Sequence, residues 1–304
     1  MIAWNWRNRF EPWYAASVSS ASSRQALVVT VLNLKGGVGK THATWLLSSV
    51  CEERGLRCLC IDTDTQGNLS NSFARDRGAA SGVERLLDPS ADADVRDLIR
   101  RTIYPHIDII PSNPLLARFD LSDAQAWEKS DLQLAFVDPV NALRPLYDVI
   151  VFDCPPRLSL VSFAALCASD AVIVPLEAAD WGAQGIVQVA AAIRHVRECH
   201  NKRLQLLGYL VSRFKQRRSY QQCYLKQLKQ HFGADTFDVV LPDLAAFERS
   251  VTDAIPITQH APASSAARIA RQFVDEVFRR AAQFRGGGTG RRRQNLRHAG
   301  VAAA

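Results

Sequence analysis

The stretch Lys35-Gly36-Gly37-Val38-Gly39-Lys40-Thr41 leaves a chain few folds to choose from. An apolar, β-branched run, Leu27 to Leu34, precedes it, and a helical pattern, Ala43 to Arg54, follows. Strand, glycine loop and helix in that order make a phosphate cradle. Glycines let successive backbone N–H groups turn inward, and the helix N-terminus adds a dipole that favours an anion. In the usual pattern, G-x-x-x-x-G-K-[ST], the lysine reaches the β- and γ-phosphates and the hydroxyl sits on Mg²⁺. Lys40 and Thr41 occupy those positions, but Leu34 replaces the first glycine and Lys35 adds a second lysine. One nucleotide needs one phosphate lysine, so the second points to another nucleotide.

Two further segments fit the same chemistry. A short buried strand, Arg57 to Ile61, runs into Asp62-Thr63-Asp64-Thr65-Gln66-Gly67-Asn68. Carboxylates one residue apart at a strand end suit a magnesium and water site, because the functional loops of a parallel sheet lie beyond the carboxyl ends of its strands. The apolar strand Tyr147 to Asp153 then ends in an acid followed by Cys154-Pro155-Pro156, which suits the magnesium-holding acid of an NTPase.

The remaining pattern alternates strands with helices. Strands are expected at Ile107–Ile110, Ala171–Pro175, Leu204–Val211 and Val239–Pro242. Helices are expected at Val83–Leu87, Val95–Arg101, Leu132–Leu143, Gly182–Cys199, Tyr220–Phe232 and Ala266–Phe284. Buried strands alternating with helices predict an α/β fold, a doubly wound, mostly parallel sheet. Residues 1–26 read as a flexible arm, 27–284 as the phosphate-loop NTPase domain and 285–304 as a disordered basic tail. No apolar run approaches the ~18 residues a membrane span needs, and the N-terminus lacks a signal-peptide pattern, so a cytoplasmic protein is expected. Seven cysteines in no metal-like spacing read mostly as small buried hydrophobes. The net charge of +7 lies in the ends: residues 285–304 carry +5 and residues 1–24 carry +2, leaving 25–284 neutral. A nucleic-acid partner therefore needs a local patch.

KGGVGKT, DTDTQGN, VIVFDCPP, VIVPLEAADWGAQGI and LPDLAAFERSVTDAIPITQHAP together resemble the ParA/Soj family of partition ATPases, within the deviant Walker group that includes MinD. The similarity covers about residues 27–283. It implies ATP and Mg²⁺ as cofactors and an ATP-dependent homodimer. Lys35 is then the signature lysine that reaches the partner's ATP. Gly36, Gly37, Val38, Gly39, Lys40, Thr41 and the adjoining His42 wrap the phosphates. Thr41, Asp62 and Asp153 serve the metal, Asp64 positions the attacking water, and Pro242 and Asp243 line the adenine. His42 stands where the family usually has a second Thr, and Thr65 replaces the usual Pro.

The resemblance also implies nonspecific, ATP-dependent DNA binding, hence nucleoid association, and a ParB-like or other adaptor that stimulates slow turnover. The candidate patch is Arg213 to Arg218, above all Lys215, Arg217 and Arg218, with Lys226 and Lys229 on the following helix. Ala246, Arg249 and Ile255 depart from the family's usual Arg, Glu and Lys, so part of its DNA-contact surface is altered here. A MinD-like membrane switch is the alternative. It needs a terminal amphipathic helix, and residues 285–304 offer only Leu296 and Val301 as large apolar side chains.

Overall fold

The computed structural model describes residues 25–73, 81–88, 90–91, 93–119, 131–178 and 183–285. The expected arm and tail, apart from Gln25, Ala26 and Arg285, lie outside the described residues. Ala26, assigned to the arm, is buried, and its N–H donates to the Arg144 carbonyl.

In chain order the elements are β1 (Leu27–Val31), α1 (Lys40–Glu53), β2 (Cys58–Asp62), α2 (Asn68–Phe73), β3 (Arg100–Arg101), β4 (Ile107–Ile110) and α3 (Val137–Leu143). They continue with β5 (Val149–Asp153), α4 (Leu160–Ala168), β6 (Ala171–Glu177), α5 (Ala183–Cys199), β7 (Gln205–Ser212) and α6 (Ser219–Phe232). The described chain closes with α7 (Ala245–Thr252), α8 (Ile257–His260) and α9 (Ser265–Arg285). The strands form one seven-stranded sheet in the order β3-β4-β2-β5-β1-β6-β7. Only β3 runs antiparallel to its neighbour.

Both faces of the sheet are covered, as buried parallel strands require. The two-residue period of a strand divides the side chains. Val28, Leu59, Ile61, Ile150 and Phe152 pack in the core that includes α4, α5 and α6. Val29, Val31, Cys58, Cys60 and Val151 pack in the opposite core, with α1 and α9. Five cysteines are buried; Cys199 and Cys223 are exposed. Among the described residues no group of three or more His, Cys, Asp or Glu side chains is placed to hold a metal by itself, and no helix is long and apolar enough to cross a membrane.

Three expectations are corrected. Val239–Pro242 is not a strand: Glu276 takes the N–H groups of Asp238 and Val239, Pro242 has no N–H, and the segment meets the sheet through the Leu241 N–H, which donates to the Val211 carbonyl, with an isolated bridge to Phe214 beyond β7. Val95–Arg101 is one 3₁₀ turn capped by Asp94, after which Arg100 and Arg101 extend the sheet edge. Leu132–Leu143 divides into a 3₁₀ turn, Leu132–Leu134, and α3. Helix α4 escaped the sequence reading because a short run, apolar except for Ser162, gives no period that separates a buried helix from a strand.

Candidate active site

Strand register assembles the site. Val31 and Asp62 both pair with Asp153 across the sheet, so β1, β5 and β2 end side by side. The glycine loop leaves β1 at that edge and enters α1 at Lys40, three residues before the expected start. Gly37 and Gly39 have φ of 76° and 85°, in the left-handed region that L side chains rarely adopt. A Cβ on Gly39 would also stand 3.1 Å from the Ser212 hydroxyl, which props the loop by donating to the Val38 carbonyl. Gly39 caps α1 without a side chain, and no acid stands in the first turn, so the helix end faces an anion unopposed.

Lys40 is buried, and its Nζ donates to the Lys35 carbonyl at 3.0 Å. Burial lowers its pKa, while Asp153, Asp64 and Cys154 pull it back up. The three acids differ in what they bind. Asp62 is fully engaged: Oδ1 accepts from the Asp64 N–H at 3.1 Å, and Oδ2 accepts from the Ser70 N–H and hydroxyl at 2.8 and 2.7 Å. Burial still pushes its carboxyl up to about 6, against the pull of those bonds. Asp64 points Oδ1 at the Gln66 N–H, 3.0 Å away, and lines the cavity described below. Asp153 is 1% exposed, and neither carboxylate oxygen has a hydrogen-bond partner. Burial and the neighbouring Asp62 hold it well above the usual carboxylate range. The Thr41 hydroxyl and Lys40 oppose that shift, the hydroxyl lying close without hydrogen-bond geometry. A buried carboxylate with two empty oxygens beside a threonine hydroxyl fits a divalent cation, which supplies the missing ligands and charge.

Lys35 lies at the rim. Its backbone N–H donates to Asn33, whose amide reaches the Pro175 carbonyl at 2.6 Å, and its ammonium stands 3.8 Å from Glu177. His42 packs edge-on against Phe247 with centroids 4.8 Å apart. Burial and Arg213 lower its pKa to about 4, which keeps the imidazole neutral.

A cavity of about 660 Å³ joins the loop, from Gly36 to His42, and Asp64 to Pro242, Asp243 and α7. The expected base-side pair therefore shares one cavity with the phosphate loop. Arg213, read from sequence as part of a DNA patch, lines this cavity instead. It has φ 52°, and its guanidinium donates to the Gly37 carbonyl at 3.3 Å. Lys215 is held by Asp243 at 3.0 Å. Arg217 and Lys226 are exposed, and Arg218 donates to the Tyr220 hydroxyl at 2.8 Å. Sequence reasoning missed Ser70, Ser112 and Phe247. Only Ser112 carried a signal, since it follows the end of a predicted strand on the functional side of the sheet.

The family described as an AAA domain matches residues 26–206. The chromosome-partitioning ATPase Soj of Thermus thermophilus is 31% identical, over 83% of this chain and 95% of that protein. The chromosome partitioning protein ParA of Caulobacter vibrioides is 30% identical, over 73% of this chain and 82% of that protein. Among solved structures, the cobyrinic acid a,c-diamide synthase of Mycobacterium smegmatis with bound ADP and magnesium superposes with a TM-score of 0.71. It is 26% identical, covering 86% of this chain and 96% of that one.

Proposed function

This chain belongs to the ParA/Soj family of partition ATPases, and from that premise we propose that it is an ATP-driven switch that positions a cargo along DNA. It is an ATPase of the deviant Walker type that uses ATP and Mg²⁺. The observation that carries the reading is Asp153, buried with both oxygens unpartnered beneath a glycine loop that ends in Lys40 and Thr41.

In this reading Lys40 and the loop N–H groups hold the β- and γ-phosphates, and Pro242 and Asp243 flank the adenine. Asp153 and Thr41 would hold the magnesium, which would neutralise charge on the phosphates. Asp62, with both oxygens already bonded, anchors the loop beside the metal. Asp64 orients the water that attacks the γ-phosphorus as the bond to ADP breaks. Phosphoryl transfer needs little more from a protein than positioning and charge neutralisation. Lys35, at the rim, reaches the nucleotide of a second copy, so hydrolysis depends on dimerisation. The dimer doubles the patch of Arg217, Arg218, Lys226 and Lys229, and phosphate contacts of that kind bind DNA without reading sequence. An adaptor, ParB-like or otherwise, completes the slow site.

DNA co-sedimentation with ATP, ADP or no nucleotide tests this reading. Binding with ATP alone, weakened by salt, is the expected result. Asp64→Ala is expected to stay on DNA without releasing it, and Arg217→Glu with Arg218→Glu to leave DNA while still binding ATP. Failure to bind DNA in any nucleotide state overturns the DNA-switch reading and sends the protein to liposome sedimentation.

A further inference from the structure

The loop that carries Asp64 is closed into a ring of hydrogen bonds by two serines from elsewhere in the fold. The Ser112 N–H donates to the Ser70 hydroxyl at 2.9 Å, and that hydroxyl donates to Asp62 Oδ2 at 2.7 Å. Asp62 Oδ1 accepts from the Asp64 N–H at 3.1 Å. The Asp64 carbonyl then accepts from the Ser112 hydroxyl at 2.6 Å, which closes the circuit. Each hydroxyl has a defined direction, so the ring is satisfied without a spare donor.

Three segments meet in it: the loop after β2, the helix α2 and the residue beyond the end of β4. Ser112 is the fixed member. Pro111 before it is buried, and its carbonyl accepts from the Val83 N–H at 2.9 Å. Gly82 lies so close that a Cβ there would stand 2.2 Å from the Pro111 oxygen. The turn at Gly82 and Val83 thus holds the backbone before Ser112 still, and Ser112 holds the Asp64 carbonyl while Asp62 holds the Asp64 N–H.

We propose that Ser112 is a positioning residue for the hydrolytic step, acting through the Asp64 backbone, with Ser70 as the link to Asp62. This rests on the reading of Asp64 as the group that orients the attacking water. The nucleotide-binding groups are not in the ring. Its loss therefore displaces Asp64 and leaves the phosphate cradle intact, and misplacement by an ångström is enough to slow an oriented reaction strongly.

The test is single-turnover hydrolysis of pre-bound Mg-ATP by the full chain, alongside equilibrium binding of a fluorescent ATP analogue. Ser112→Ala is expected to slow hydrolysis about tenfold, the effect of roughly one hydrogen bond, with nucleotide affinity unchanged. Ser112→Thr restores the hydroxyl at a half-buried position and is expected to recover the rate. In an Asp64→Ala background, Ser112→Ala is expected to cost nothing further. An unchanged rate for Ser112→Ala while Asp64→Ala is inactive overturns the positioning role alone. Normal hydrolysis by Asp64→Ala overturns the reading beneath it. A slow Ser112→Thr variant, or loss of nucleotide affinity in step with rate, makes the serine merely structural and overturns the proposal.

Discussion

Asp153 trades stability for chemistry. Its carboxylate is buried, unpartnered and beside Asp62, and a buried charge in that state is costly. Asp153→Asn removes the charge in nearly the same volume. Without nucleotide, the variant is expected to be more stable than the parent by about 1–3 kcal/mol. Mg-ATP should raise the melting temperature of the parent, since a ligand that binds only the folded state stabilises it. It should do little for the variant. Thermal unfolding with and without Mg-ATP reads both effects, and a variant that melts earlier without nucleotide refutes the argument. The sequence made Asp62, Asp64 and Asp153 legible as a cluster, because each stands at or just past a strand end. It did not distinguish them, because which oxygens are already bonded depends on Ser70, and nothing in the chain near residue 70 marks it as a partner of residue 62.

At the scale of elements, the Pro242 and Asp243 wall of the cavity is secured by α9. Arg280 donates to the carbonyls of Leu207, Ala234 and Thr236 at 3.0, 2.8 and 2.6 Å, and its guanidinium lies 4.5 Å from the Phe237 ring centroid. Glu276, paired with it at 2.7 Å, takes the Asp238 and Val239 N–H groups. One buried ion pair thus satisfies the backbone that leads into Pro242 and Asp243, the work a strand ladder does elsewhere. Breaking the pair leaves the buried Glu276 with only the exposed Arg279, 3.5 Å away, to offset its charge. Arg280→Met is expected to cost about 3–5 kcal/mol by urea unfolding and to weaken ATP binding, because the wall beyond Asp238 loses its anchor. Intact stability would show that water replaces the arginine; lost stability with unchanged ATP affinity would separate the clamp from the cavity. The mistaken strand at Val239–Pro242 has the same cause. Three apolar residues before a proline look like a buried strand, and the glutamate that satisfies their backbone lies far along the chain. Helices α1, α5, α6 and α9 were legible because each shows a long amphipathic period or follows a recognisable loop. Helix α4 shows neither.

For the whole molecule, charge placement decides how DNA is held. Residues 25–284 are neutral overall, so no general field draws the folded domain to a polyanion. Lys215 is already paired with Asp243, and Arg213 lines the cavity beside the glycine loop, which leaves Arg217, Arg218, Lys226 and Lys229 as the exposed remainder of the candidate patch. Four cations on one protomer bind weakly, and the proposed dimer would present eight. Each neutralised phosphate contributes about −0.9 to the slope of log affinity against log salt on B-DNA. A chain ending at Arg285, which lacks the four arginines beyond it, is therefore expected to bind DNA only with ATP, with a slope no steeper than about −7. The full chain should bind more tightly and with a steeper slope, and retain weak binding without ATP through those arginines. Reversing Arg217 and Arg218 in the shortened chain should flatten the slope and remove the ATP dependence together, since both come from the doubled patch. If the shortened chain instead loses all DNA binding with ATP present, the terminal arginines hold the DNA, and the nucleotide acts on affinity by bringing two of those termini together.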